Sequence, residues 1–326
     1  MILVGDVGGT KTRLALYEEQ EESLVRCDTE TFASRDFEGV SDIVNTFLSA
    51  RKSTVQNACF GVPGPVQNGE AKMTNLPWTL KEDAIAEATD LKKVKLVNDL
   101  VATTAAVPYL SEDELHILYE GRAKADEDAP RAVLAPGTGL GEAFLYSHAG
   151  KYYVHASEGG HVDFAPTTDI EVELLQYLRS KFDRVSFERV LCGPGLVNIY
   201  SFLRDKGHIS VPQKLEERLQ NEDPAAVISS TGQTGEFDIT AKALDIFVSV
   251  LGAQAGNLVL TLLTRGGVYL GGGIPPKIIK KLSEGSVVTS YLNKGRLTPV
   301  VENTSFYMIR DDYVALLGAA HIAKEL

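Results

Sequence analysis

The sequence predicts an α/β protein in two lobes, and three observations carry that prediction. A glycine-rich turn lies between apolar runs twice, at Val4-Gly5-Asp6-Val7-Gly8-Gly9-Thr10-Lys11-Thr12 before Leu14-Ala15-Leu16-Tyr17, and at Leu134-Ala135-Pro136-Gly137-Thr138-Gly139-Leu140-Gly141. Each reads as strand, turn, strand, one per half of the chain. The length of 326 residues favours two domains over one. Helical spacing alternates with the strands, at 42–51, 81–88, 171–182 and 313–323. A tight glycine turn presents consecutive backbone N–H groups, a nest that suits phosphate, so a pair of them predicts a nucleotide held between two lobes.

Residues 1–109 read as one α/β unit, with strands at 2–6, 12–17, 24–32, 58–62, 71–74 and 95–98. The cluster Pro63-Gly64-Pro65-Val66-Gln67-Asn68-Gly69 continues neither helix nor strand. The charged stretch 119–131, with Lys124, Asp126, Glu127 and Asp128, reads as a solvated loop near a domain junction. The second glycine turn then opens a new strand-rich unit. Within it, 205–238 is polar and aperiodic and is predicted to be an irregular surface excursion. A long buried helix follows at 240–264, then an apolar strand ending in Gly271-Gly272-Gly273.

Composition narrows the function classes. The hydrophobic content of 44% supports a substantial core, and the formal charge of −12 opposes the basic stripe that nucleic acid requires. Cys27, Cys59 and Cys192 give neither a disulfide framework nor zinc spacing, and read as free thiols in a reducing cytoplasm. The N-terminus shows no basic and apolar leader pattern. Residues 246–263 carry no charge and are long enough to cross a bilayer. Ser249, Gln254, Asn257 and Thr261 interrupt them, however, and Leu244, Val248, Leu251, Ala255, Leu258 and Leu262 mark one helix stripe, so the segment reads as a buried helix and not a membrane span.

Four constellations could carry chemistry. The Gly8-Gly9 turn is neither a Walker loop nor a dinucleotide fingerprint, because a strand follows it. Asp6 beside it could orient water around Mg²⁺, while Lys11 reads as solvent-facing. Asn98-Asp99 ends a strand, where ligands gather in open α/β sheets, and a carboxylate there can accept a hydroxyl proton; a helix N-cap is the structural alternative. Glu158-Gly159-Gly160-His161 places an acid and an imidazole where they could bond sugar hydroxyls. No cysteine or second histidine has metal-ligand spacing there, so no protein-held metal is predicted. Glu188 reads as an exposed helix residue or a partner of Arg189.

Taken together these segments resemble the bacterial-type glucokinases, ATP-dependent hexokinases of the sugar kinase, heat-shock 70 and actin superfamily. The resemblance runs through Gly5–Thr10, Asn98-Asp99, Gly137–Gly141, Glu158–Pro166 and Glu188–Gly195, with Met73-Thr74-Asn75-Leu76-Pro77-Trp78 and Gly271–Ile274 in the same order. It implies an actin-like ATPase (ribonuclease H-like) fold of two lobes, each a mixed sheet flanked by helices, with the active-site cleft between them. The small lobe would take 1–109 and 304–326, the closing helix included, and the large lobe 110–303. Asp99 would be the general base on the sugar 6-hydroxyl, with Asn98, Gly137, Glu158, His161 and Glu188 holding the sugar. Asp6, Gly8, Gly9, Thr10, Thr138, Gly139, Gly271, Gly272 and Gly273 would hold ATP, with Mg²⁺. The implied enzyme is a cytoplasmic homodimer acting on glucose and feeding glycolysis. Lys11-Thr12 looks more like the related repressor/open-reading-frame/kinase family, but that family's cysteine-rich zinc motif is missing. Ser157 stands where a glycine often precedes the Glu-Gly-Gly-His element. A kinase for mannose, fructose or an N-acetylated sugar is the nearest rival, and a non-enzymatic sugar sensor the more distant one.

Overall fold

The computed structural model describes every residue except Glu22, Lys52, Thr74 and Glu127. The end of the predicted strand 71–74 and one acid of the charged loop therefore lie outside the described residues. The chain divides into two compact units, Met1–Ser111 with Tyr153–His155 and Asp311–Leu326, and Glu112–Tyr152 with Ala156–Arg310.

The first unit contains β1 (Ile2–Val7), β2 (Lys11–Gln20), β3 (Ser23–Ala33), α1 (Val40–Ser49), β4 (Asn57–Val62), the ribbon β5 (Glu70–Lys72) and β6 (Thr79–Lys81), α2 (Glu82–Thr89), β7 (Lys93–Asn98) and α3 (Asp99–Ala106). Its main sheet runs β3-β2-β1-β4-β7. β1, β2 and β3 pair antiparallel, whereas β1, β4 and β7 pair parallel, so the sheet is mixed. The two-residue period of a strand sorts side chains onto two faces. Leu3, Val7, Leu14, Phe60 and Leu96 pack with Ile43, Phe47 and Ile85 of α1 and α2. Val4, Ala15 and Cys59 pack on the opposite side with Ala102 of α3.

The second unit contains β8 (Leu115–Tyr119), β9 (Arg131–Pro136), β10 (Leu140–His148), β11 (Lys151–Ser157), α4 (Asp169–Arg179), α5 (Gly193–Asp205), α6 (Gln213–Asn221), α7 (Pro224–Thr234) and α8 (Asp238–Leu262). β12 (Val268–Leu270), α9 (Ile279–Leu282), α10 (Ser286–Leu292), α11 (Thr298–Val301) and β13 (Phe306–Ile309) complete it. The sheet order is β11-β10-β9-β12-β13-β8. β9 and β10 are antiparallel, and β12 runs parallel to both β9 and β13. Each sheet thus opens with three strands in reverse chain order and continues with two parallel ones, β8 adding an antiparallel edge to the second sheet. The repeated glycine turn of the sequence is the first turn of the same strand pattern used twice.

Two expectations need correction. The segment 205–238 is not irregular, because α6 and α7 occupy most of it. α6 has only Leu215 buried, too little for a periodic stripe. α7 carried its signals at its ends instead: Asp223 accepts the Ala225 N–H as N-cap, Pro224 opens the helix, and Gly235 ends it at φ 68°. The stretch 304–326 is not all of one unit, since β13 pairs with β12 and β8 in the second sheet. The return to the first unit begins at Asp311.

The helix predicted at 240–264 is α8, and 78% of its most apolar window is buried within the protein, as a core helix requires and a lipid-facing span does not. Gly252 and Gly256 lie under α10, where an added Cβ on Gly252 would overlap the Val287 carbonyl and one on Gly256 the Tyr291 carbonyl. The glycines let the two helix backbones approach closely. In the first unit, α12 (Val314–Lys324) packs with Ala319, Ala320 and Ala323 on the Val4 face of the sheet. At Gly318 an added Cβ would overlap the Ala102 carbonyl oxygen and lie 2.8 Å from the Ala106 nitrogen. Gly318→Ala gains about 1 kcal/mol of helix propensity. The overlap is with helix backbone that cannot step aside, and overpacking of that kind costs roughly 1–3 kcal/mol. The expected outcome is a net loss of stability, measured as a lower urea midpoint.

Candidate functional site

The sequence-predicted residues fall into two groups, one on each unit. In the first, β1 and β2 are joined by Gly8-Gly9-Thr10, and the Gly8 N–H donates to the Lys11 carbonyl at 2.9 Å. The turn is tied from behind by Ser34, which is fully buried. Its N–H donates to the Thr10 carbonyl at 3.0 Å, and its hydroxyl donates to the Gly8 carbonyl at 2.7 Å. Thr12 Oγ1 lies 2.9 Å from the same hydroxyl. The Gly8 and Thr10 carbonyls are therefore occupied, while the N–H groups of Gly9 and Thr10 have no acceptor among the described residues. An added Cβ on Gly9 would lie 2.9 Å from Asn75 Cβ. Asn75 also borders a cavity of about 520 Å³ with Arg35, Phe37 and Trp78. The Lys11 side chain is exposed, as expected.

Strand alternation explains the acids. Asp6 is two residues from Val4, so it lies on the face that α3 covers. Asp99 is the first residue of α3, and Asn98 caps it by accepting the Leu100 and Val101 N–H groups at 3.0 and 3.4 Å. The Asn98 amide donates to the Gly64 carbonyl at 3.1 Å, so the capping alternative is real and leaves Asp99 oriented by it. Gly61, paired with Asp6 in the sheet, lies beneath the helix start, where an added Cβ would be in ordinary van der Waals contact with Asp99 Cα at 3.6 Å. Burial holds the Asp6 carboxyl above its ordinary range, the charge of Asp99 raises it further, and Arg13 partly opposes both. Asp99 is also raised, by desolvation, against the pull of the Leu100 N–H and the Asn98 side chain.

In the second unit, Gly137-Thr138-Gly139 joins β9 to β10, with the Gly137 N–H on the Gly139 carbonyl at 2.8 Å. The Gly137 carbonyl accepts the Gly193 N–H at 2.9 Å, which ties the turn to the start of α5. Among the described residues nothing accepts from the Thr138 and Gly139 N–H groups. The third cluster lies alongside. Gly271 N–H donates to the Leu134 carbonyl at 2.9 Å and Ile274 N–H to the Pro136 carbonyl at 3.2 Å. Gly272 has φ 84°, and an added Cβ would lie 2.5 Å from the Pro136 oxygen, so only glycine fits.

Glu188 is neither a surface helix residue nor a partner of Arg189, whose guanidinium stacks on Phe182 at 4.1 Å. It sits half-buried in a short 3₁₀ turn, and its Oε2 accepts the Leu140 N–H at 2.9 Å. Its Oε1 lies 3.9 Å from His161 Nδ1, and the other ring nitrogen lies 3.9 Å from Glu158. The imidazole thus stands between two carboxylates, with Glu158 nearly fully exposed. Arg184 braces this loop by donating to the His161 carbonyl at 2.7 Å and to Asp163 at 2.6 Å. Ser157 has a specific use, since its hydroxyl accepts the Gly159 N–H at 2.9 Å.

Sequence reasoning missed Ser34, Glu142 and Arg184. Ser34 had no local signal, and Glu142 looked like one polar residue in an alternating strand. No group of three or more histidine, cysteine, aspartate or glutamate side chains with metal-site geometry occurs among the described residues. The raised carboxyl of Asp6 makes stability depend on pH. Its proton is held more tightly in the folded than in the unfolded chain, so its contribution to stability is full at low pH and is lost as pH rises through the folded pKa. Without divalent cations, Asp6→Asn is expected to raise the urea midpoint at pH 7, with the gain fading as pH falls below the carboxylate range. An unchanged midpoint at pH 7 would refute the electrostatic account.

A family model for glucokinase matches residues 3–326. The glucokinase of Trichormus variabilis is 38% identical over 342 aligned residues, covering 100% of this chain and 99% of that protein. The solved glucokinase of an Antarctic psychrotroph superposes with a TM-score of 0.88 at 32% identity, over 100% of this chain and 99% of the other. A ROK family glucokinase from Streptomyces griseus, solved with glucose and AMPPNP, shares the fold at a TM-score of 0.65 and 17% identity, covering 100% and 99%. The mixed α/β architecture is accordingly that of the actin-like ATPases, and the chain belongs to the glucokinase family.

Proposed function

We propose that this protein transfers the γ-phosphoryl group of ATP to the 6-hydroxyl of D-glucose. The observation that carries the reading is Asp99, a carboxylate placed at the start of α3 by the Asn98 cap and lifted in pKa, in a chain of the glucokinase family. A carboxylate whose pKa is raised is, once ionised, a stronger base, which suits removal of a hydroxyl proton. Asn98, Gly137, Glu158, His161 and Glu188 hold the sugar in this reading. Carboxylates accept from its hydroxyls, and the imidazole between Glu158 and Glu188 can donate as well as accept.

Phosphoryl transfer needs positioning and charge neutralisation more than covalent chemistry from the protein. The unpaired N–H groups of Gly9, Thr10, Thr138 and Gly139 supply neutral donors for phosphate oxygens, and Gly271–Gly273 border the nucleoside. This explains how a chain of net charge −12 takes a polyanionic substrate. Asp6 and Asp99 form an acid pair opposed only in part by Arg13, a cation deficit that fits Mg²⁺ near Asp6. Bound with the nucleotide, Mg²⁺ would neutralise developing phosphate charge. The same reading has the enzyme working as a cytoplasmic homodimer that delivers glucose 6-phosphate to glycolysis; the free thiols Cys27, Cys59 and Cys192 accord with a reducing compartment.

Two measurements test this. Glucose-dependent ADP release is expected, and crossing a panel of hexoses against ATP, ADP and polyphosphate should give the highest kcat/KM for glucose with ATP. A higher kcat/KM for mannose, fructose or an N-acetylated sugar transfers the assignment to that substrate. Asp99→Asn should lose on the order of 10²–10⁴ in kcat, the span that general-base removal produces. Near-parental turnover in that variant would remove Asp99 from the role of base.

A further inference from the structure

α8 carries polar residues that a core helix does not need, and two of them form a directed chain of hydrogen bonds. Lys294 Nζ donates to Asn257 Oδ1 at 2.8 Å and to the Ala253 carbonyl at 2.8 Å. Asn257 Nδ2 donates to Gln254 Oε1 at 3.0 Å, and Gln254 Nε2 donates to Glu142 Oε1 at 2.8 Å. The ends determine the polarity. An ammonium only donates, so Asn257 must turn its oxygen to Lys294 and its amide to Gln254. Gln254 must then do the same toward the carboxylate. Glu142 and Gln254 are 2% and 3% exposed, so neither can reach a substrate. Burial raises the Glu142 pKa, and the Gln254 hydrogen bond opposes that rise.

The far side of Glu142 faces the sugar loop. An added Cβ on Gly159 would overlap Glu142 Oε2, and one on Gly160 would overlap the Leu140 carbonyl. The backbone between Glu158 and His161 therefore rests directly on β10, with the Glu142 carboxylate as part of its seat. We propose that the chain Lys294–Asn257–Gln254–Glu142 is a positioning device for the Glu158–His161 loop, and that Glu142 and Gln254 tune sugar affinity without touching sugar. The inference rests on the sugar-kinase reading. Aligned amide dipoles between an ammonium and a carboxylate hold the acid in one place, and a displaced seat moves both flanking sugar-binding side chains.

The test is steady-state kinetics on the full chain, with glucose binding by calorimetry and a thermal melt for each variant. Gln254→Leu should raise KM and Kd for glucose by about tenfold or more, leaving KM for ATP within about twofold. The exchange Glu142→Gln with Gln254→Glu keeps a hydrogen bond between the two positions, with donor and acceptor swapped and the charge moved one link, and should restore glucose KM to within about threefold. Lys294→Met, at the half-buried end, should raise glucose KM by roughly threefold and serves if Gln254→Leu does not fold. Unchanged glucose KM in the folded variants, equal rises for glucose and ATP, or no recovery in the exchange would overturn the positioning role. A parental protein with no glucose-dependent ADP release overturns the kinase reading and this inference with it; parental activity with indifferent variants overturns only the inference.

Discussion

Short turns between antiparallel strands are the constraint on which the site depends. A turn of three residues between β1 and β2, or between β9 and β10, cannot pair all its own backbone groups. In each turn two of the three carbonyls are used by the protein, at Gly8 and Thr10 through Ser34, and at Gly137 and Gly139 through the Gly193 and Gly137 N–H groups. What remains is an excess of N–H groups, fixed in direction and carrying no formal charge. The surrounding scaffold keeps them that way: the buried Ser34 behind the first turn, and the start of α5 behind the second.

The same strands place the charged groups. Because β1 alternates, Asp6 falls on the side of Val4 and so under α3, whose first residue is Asp99. Two acids then share one end of one sheet face, and burial lifts both. Proteins usually avoid that arrangement, since each carboxylate makes the other harder to ionise. In the proposed function that arrangement is what supplies a base at Asp99 and a place for a cation near Asp6. Gly318 lets α12 pack closely on α3, with the alanines of α12 on the same sheet face.

The second unit solves a different problem, that of holding an exposed loop still. Glu158 and His161 are solvent-facing, yet the backbone between them is seated on β10 and braced by Ser157 and Arg184. Beneath the seat the buried polar groups of α8 are all engaged: Ser249 donates to Glu171 at 2.9 Å, and Gln254 and Asn257 join Glu142 to Lys294. Of the polar positions that argued against a membrane helix, Ser249, Gln254 and Asn257 are where α8 bonds to its neighbours, and Thr261 bonds back to the Asn257 carbonyl.

Much was legible in the sequence, and for local reasons. The glycine turns, the alternating strands, the long α8 and the Asn98-Asp99 strand end announce themselves within windows of about ten residues, because turn sterics and side-chain period act at that range. The ends of α7 were legible too, in Asp223, Pro224 and Gly235, though its weak stripe hid them. The sequence by itself thus determined most of the elements, the two glycine turns and the family resemblance. Only the tertiary structure decided that β13 joins the second sheet, that Glu188 faces His161 instead of pairing with Arg189, and that Glu142 reaches Gln254 over a separation of 112 residues. Those pairings depend on which strands become neighbours and which helix crosses them, and no local pattern encodes a partner so far along the chain.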